Sequence, residues 1–92
     1  MKSLKVYRLE KDFKGEMALM RRDDLYVRQM PSNKFIVTVP HPTEDAEYVL
    51  STWQAPRAPR EFADVGRAVN AAFRVGARSI HFDLPNPPTE ID

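Results

Sequence analysis

The sequence predicts an α+β fold: an antiparallel sheet of four or five strands with one helix, about residues 65–75, packed on one face as a two-layer sandwich. Three observations lead there. Apolar and polar residues alternate with period two near both ends of the chain and in its middle. Pro31-Ser32-Asn33 separates two β-favouring runs, which is a hairpin signal. Val65, Ala68, Val69, Ala72 and Phe73 recur at i, i+3, i+4, i+7 and i+8, the spacing of one helix face.

Residues 3–10 read as the first strand, with Leu4 and Val6 alternating with Lys5 and Tyr7. Asp12-Phe13-Lys14-Gly15 reads as a turn, because glycine enters positive φ without a Cβ clash. Residues 16–22 are good helix formers but supply at most about two turns. Helix and strand both fit them, and a strand forming a hairpin with the first is preferred. Asp23-Asp24 then turns the chain.

Residues 25–30 and 34–39 form the central hairpin, with Phe35, Val37 and Val39 on one face and Lys34, Ile36 and Thr38 on the other. Residues 40–45 are a loop, since Pro40 and Pro42 remove ladder donors. A further strand runs 47–53 and ends on Trp53, followed by a proline-punctuated connector over 54–61. Asp64 suits a helix N-cap and Gly76 a left-handed C′ residue. Residues 79–84 alternate strictly and give the last strand. Pro85, Pro87 and Pro88, with Glu90 and Asp92, predict a disordered acidic tail over 85–92 after a single domain of 1–84.

With 92 residues, the chain has material for one core. Its 14 Lys plus Arg nearly balance 13 Asp plus Glu, for a net charge of +1, which excludes a general polyanion-coating protein. The absence of cysteine excludes disulfide staples and thiolate metal sites and suits a reducing cytoplasm. The uncharged stretches 35–43 and 48–56 fall far short of the roughly 20 apolar residues that span a bilayer.

Catalytic chemistry has little support. His41 and His81 lie in unrelated elements, with no ligand at a known metal spacing, so no metal and no cofactor are expected. Asp83 shares a strand face with His81, but no strained nucleophile turn accompanies the pair. Gly15, Gly66 and Gly76 form no phosphate-binding loop. Asp23-Asp24 and Glu44-Asp45 read as solvated turn residues. The chain is therefore expected not to be an enzyme.

Charge along the chain is more informative than its total. Residues 53–78 carry five arginines, Arg57, Arg60, Arg67, Arg74 and Arg78, against Glu61 and Asp64, whereas 79–92 carry Asp83, Glu90 and Asp92 and no cation. Arginine's planar fork suits recognition of carboxylates and phosphates, and Trp with Arg is enriched at interface hot spots. Trp53, Arg57, Arg60, Arg67, Arg74 and Arg78 are thus the candidate partner-binding residues. Exposed arginines on a helix are ordinarily just solvated surface, and a lone tryptophan near a strand end ordinarily belongs to the core.

The function expected is a small protein-binding module, of the accessory or inhibitory kind that phages and plasmids encode. It would engage a partner through the arginine connector and helix face or through a sheet edge. The alternative is nucleic-acid binding by the same arginines, with Tyr26 or Trp53 stacking on bases. A homodimer, formed through a strand edge or the second face of the sheet, is a further expectation.

Overall fold

The computed structural model describes residues 4–84. In chain order these form β1 (Leu4–Arg8), α1 (Glu10–Leu19), β2 (Asp24–Gln29), β3 (Phe35–Pro40), β4 (Ala46–Leu50), α2 (Val65–Arg74) and β5 (Ser79–Asp83). The strands build one sheet in the order β1-β4-β3-β2-β5. β1 is parallel to β4 and β5 is parallel to β2, while β3 is antiparallel to both of its neighbours. The class is α+β as expected, but the sheet is mixed rather than antiparallel and carries two helices rather than one. The tail expected over 85–92 lies outside the described residues. Among those described, no helix is long and apolar enough to cross a membrane.

Mixed pairing follows from the connections. α1 carries the chain from β1, at one edge, to β2 in the fourth position; α2 carries it from β4, in the second, to β5 at the other edge. Both crossovers join parallel strands and move three positions in the same direction, so a common handedness places both helices on one face. The core shows that they share it. Phe13 and Met17 of α1 and Ala68, Ala71 and Ala72 of α2 join Leu25, Val27, Val37, Val39 and Leu50 in one buried cluster.

The expected turn at 12–15 and strand over 16–22 are replaced by α1. Phe13 and Met17, one turn apart, are both buried and tie the helix to the sheet. Gly15 does not break it: a Cβ there would meet nothing within 4 Å, so the residue faces open space. The cost of glycine in a helix, about 1 kcal/mol relative to alanine, is outweighed by burying Phe13 and Met17. The helix ends in a Schellman motif, in which Arg21 N–H bonds Ala18 O at 3.1 Å and Arg22 N–H bonds Met17 O at 3.0 Å. Arg21 takes the left-handed position, at φ 55°.

α2 lies where its cap and stop residues put it. Asp64 Oδ1 accepts Arg67 N–H at 2.9 Å. Gly76, at φ 105°, closes a second Schellman motif through Gly76 N–H to Phe73 O and Ala77 N–H to Ala72 O, both at 3.1 Å. The buried face is rotated from the expected stripe, however. Ala68, Ala71 and Ala72 are fully buried, whereas Val65 and Phe73 are exposed. Three alanines let the helix backbone lie close over β2 and β3, and the larger residues are left at the flank.

The central hairpin is as expected, with Val27 opposite Val37 and a tight turn held by Asn33 N–H to Met30 O and Met30 N–H to Lys34 O, both at 2.8 Å. β4 is shorter than expected and stops at Leu50. Continuing its register would set Thr52 against Phe35, but that place is taken by Phe62, whose N–H and C=O bond Phe35 at 2.8 and 3.0 Å. Trp53 is thereby left outside the sheet.

Candidate protein-interaction site

The connector 51–64 leaves the sheet after Ser51, whose N–H bonds Arg8 O at 2.8 Å, and returns where Arg60 N–H bonds Leu50 O at 2.7 Å. Between them Ala55 N–H donates to Thr52 Oγ1 at 3.2 Å, which folds the excursion into a turn beside the start of α1. Trp53 sits at its tip, 83% exposed. The return leg buries Phe62, and the Arg60 guanidinium lies over that ring with its carbon 4.9 Å from the centroid.

From Phe62 the chain enters α2, where Arg67, Asn70 and Arg74 fall on one flank at i, i+3 and i+7. Arg60, Arg67 and Arg74 meet around a concavity of about 350 Å³, which Phe62 and Asn70 also line. Arg60 Nη1 and Arg74 Nη2 both approach Glu10 Oε1, at 3.7 and 3.4 Å, so one carboxylate from α1 faces two guanidinium groups. Arg67 is held more loosely, with its Nε 3.5 Å from Asp64 Oδ2. Three forks thus surround a hollow whose internal anions satisfy them only in part.

Arg60 also borders a second hollow of about 610 Å³, lined by Leu9, Lys11, Thr52 and Trp53. Its wall includes the first turn of α1, which no side chain caps, and Ser51, whose buried Oγ has no hydrogen-bond partner. Of the six residues singled out by sequence, Arg60, Arg67 and Arg74 converge, and Trp53 joins them through Arg60. Arg57 is exposed on the connector and lines neither hollow. Arg78 lies beyond the far end of α2, its N–H bonded to Asp23 O at 2.6 Å where β2 begins. Glu10 was not foreseen because α1 was not. Asn70 could have been, since it stands between Arg67 and Arg74 at helical spacing.

The face of the sheet that neither helix covers is organised differently. Lys5 of β1, Glu47 of β4, Thr38 of β3, Arg28 of β2 and Asp83 of β5 form a polar chain with one member from every strand. Burial would raise the Glu47 carboxyl pKa, but hydrogen bonds from Lys5 and Thr38 and the charges of Arg28 and Lys5 outweigh it, and the pKa is lowered. Asp24 is lowered chiefly by hydrogen bonds from Arg22, at 3.0 and 2.9 Å. His81 pairs with Asp24, at 3.3 Å, and not with Asp83, which goes to Arg28. Tyr26 is flanked by Arg28, 4.6 Å from its centroid, and by the His81 ring at 5.0 Å. His41 Nδ1 accepts the amides of Thr43 and Glu44 at 3.1 and 3.0 Å and so closes its own loop. Among the described residues, no three His, Cys, Asp or Glu side chains are placed to hold a metal ion.

Compared with known proteins, the chain matches no family, no curated protein and no solved structure.

Proposed function

We propose that this chain is a non-catalytic protein-binding module, acting in the cytoplasm, whose interaction surface is the Arg60/Arg67/Arg74 concavity together with the Trp53 hollow. The observation that carries the reading is the meeting of three arginines around one hollow that adjoins a tryptophan left 83% exposed. A partner of matching chemistry presents a carboxylate to the guanidinium forks and an apolar side chain to Trp53 and Leu9. Glu10 holds Arg60 and Arg74 in place and is exchanged for the partner's carboxylate on binding.

Nucleic-acid binding by the same arginines fits less well. Glu10, Glu61 and Asp64 interleave with them, whereas a phosphate track favours uninterrupted positive charge. Tyr26, the other candidate for stacking on bases, is already engaged by Arg28 and His81.

Trp53 is the sole tryptophan, so its fluorescence reports directly on the site. Titration with a peptide alternating Glu and Leu is expected to change the emission, and Arg67→Glu with Arg74→Glu to abolish the response while the circular dichroism spectrum is kept. A response to a single-stranded oligonucleotide that falls steeply between about 50 and 200 mM salt, with none to the peptide, would move the assignment to nucleic acid.

A further inference from the structure

A separate surface lies on the other flank of α2. Arg74 reaches Glu10 on α1, so the arginine flank of the helix turns towards β1 and β4, on which α1 packs. At 100° per residue, Val65, Val69 and Phe73 lie on the opposite flank and turn towards β5. Phe73 is 54% exposed. β5 ends the sheet, and its Ile80 and Phe82 share the helix-covered face with Leu25 and Val27, their partners in register on β2. α2 packs on β2 and β3 and leaves Phe82 51% exposed. An apolar shelf thus runs beside a strand edge to which no described strand is paired.

We propose that this edge and shelf pair with a second copy of the same chain, β5 against β5 in antiparallel register about a two-fold axis at His81. The strand is self-complementary in that arrangement. Ile80 stands opposite the second copy's Phe82, and Phe82 opposite its Ile80, on the helix face. Ser79 stands opposite Asp83 on the other face. Each strand is preceded by the cation Arg78 and ends on the anion Asp83, which Arg28 already pairs, so antiparallel pairing lays the cationic start of one strand alongside the anionic end of the other, where parallel pairing would set like ends side by side. The two Val65/Val69/Phe73 flanks then close over the joined strands. The sheet face that neither helix covers is a poorer dimer surface, because its centre is a closed chain of ion pairs.

The full chain at high micromolar concentration is expected to sediment with twice its 10.6 kDa mass. Phe82→Lys and Phe73→Glu, both at exposed positions, should each weaken the dimer by at least about tenfold with the circular dichroism spectrum retained. The chain has no cysteine, so the register can be read by cross-linking. His81→Cys sits on the axis, within the Cα separation of about 4.4–6.8 Å that a disulfide needs, whereas two copies of Ser79→Cys lie about four residue rises, roughly 13 Å, apart. Rapid disulfide formation by His81→Cys and not by Ser79→Cys supports the pairing. A monomeric chain, a dimer indifferent to both shelf variants, or equal cross-linking at the two positions would overturn it.

Discussion

Arg28 on β2 reaches Glu47 on β4 at 2.8 Å, across the full width of the intervening strand β3. Thr38 of β3 accepts Arg28 Nε beneath that bridge at 3.0 Å, and Lys5 takes the remaining carboxylate oxygen from β1. Glu47 is only 5% exposed on a face that no helix covers. Its charge is retained there because Lys5, Thr38 and Arg28 offset the cost of burial with hydrogen bonds and opposite charge.

Glu47→Gln therefore tests how far this bridge holds the sheet together. Gln keeps one acceptor but removes the charge that Lys5 and Arg28 face, and the expected loss is about 1–2 kcal/mol at pH 7. The folded-state pKa of Glu47 is lowered, so its stabilisation is fully present above the ordinary glutamate value of about 4.3 and is lost as pH falls through the folded value. Asp24, lowered by Arg22, acts in the same direction. Urea melts at pH 7 and pH 3.5 should show a smaller acid-induced loss in the variant than in the parent chain. An equal loss in both would remove Glu47 from the account.

Arg21→Gly should raise stability. Arg21 occupies the left-handed C′ position of the α1 Schellman motif, where a side chain costs about 1–2 kcal/mol. Glycine relieves that strain but gives back roughly 0.5–1 kcal/mol of unfolded-chain entropy. A net gain of about 0.5 kcal/mol in the chemical-denaturation midpoint is expected. Gly76→Ala, at φ 105°, should show the opposite sign.

These two helix ends also show which elements were legible in the sequence. α2 carries Asp64 at its start and Gly76 at its stop, which bound it to within a residue, although the face it buries is rotated from the apolar stripe. α1 has the same stop geometry built on arginine, an N-cap residue, Leu9, without a capping side chain, and a glycine in its middle. Asp12-Phe13-Lys14-Gly15 carries turn chemistry and residues 16–22 fit helix and strand alike, so the long-range burial of Phe13 and Met17 decides for the helix. The sheet class differs for a related reason: without α1 the first strands read as a hairpin, and the strand–helix–strand order over 47–84, which also permits a parallel crossover, does not by itself choose between parallel and antiparallel placement. Of the proposed surface, Arg60, Arg67, Arg74 and Trp53 stand out in the distribution of charge along the chain. Glu10 does not, and the separation of Arg57 and Arg78 from the two hollows is set by the path of the connector for Arg57 and by the start of β5 for Arg78.

Ser51→Ala should be neutral to stabilising. The Ser51 hydroxyl is buried without a partner beside the Trp53 hollow, and such a group costs about 1–3 kcal/mol. Removing the oxygen removes that cost and leaves a gap of one atom, so the melting temperature is expected to rise by a few degrees, on the order of a 0.5–1 kcal/mol gain. A marked loss of stability would show that the hydroxyl is satisfied in solution.

Trp53→Ala separates the surface from the core most directly. An indole left 83% exposed contributes little to folding, and surface changes of this kind ordinarily fall within about 0.5 kcal/mol, so the melting temperature should stay within a few degrees of the parent. In the parent chain, acrylamide should quench Trp53 almost as well as free indole. Addition of the acidic, apolar peptide should protect it, because the same ring that is idle in the free molecule becomes the anchor in the complex. Ala71→Leu makes the contrasting control: Ala71 is fully buried where α2 lies against the sheet, overpacking there costs about 1–3 kcal/mol, and Trp53 quenching should be unchanged. If Trp53→Ala proved as destabilising as Ala71→Leu, the indole would belong to the fold, and the proposed surface would lose its apolar half.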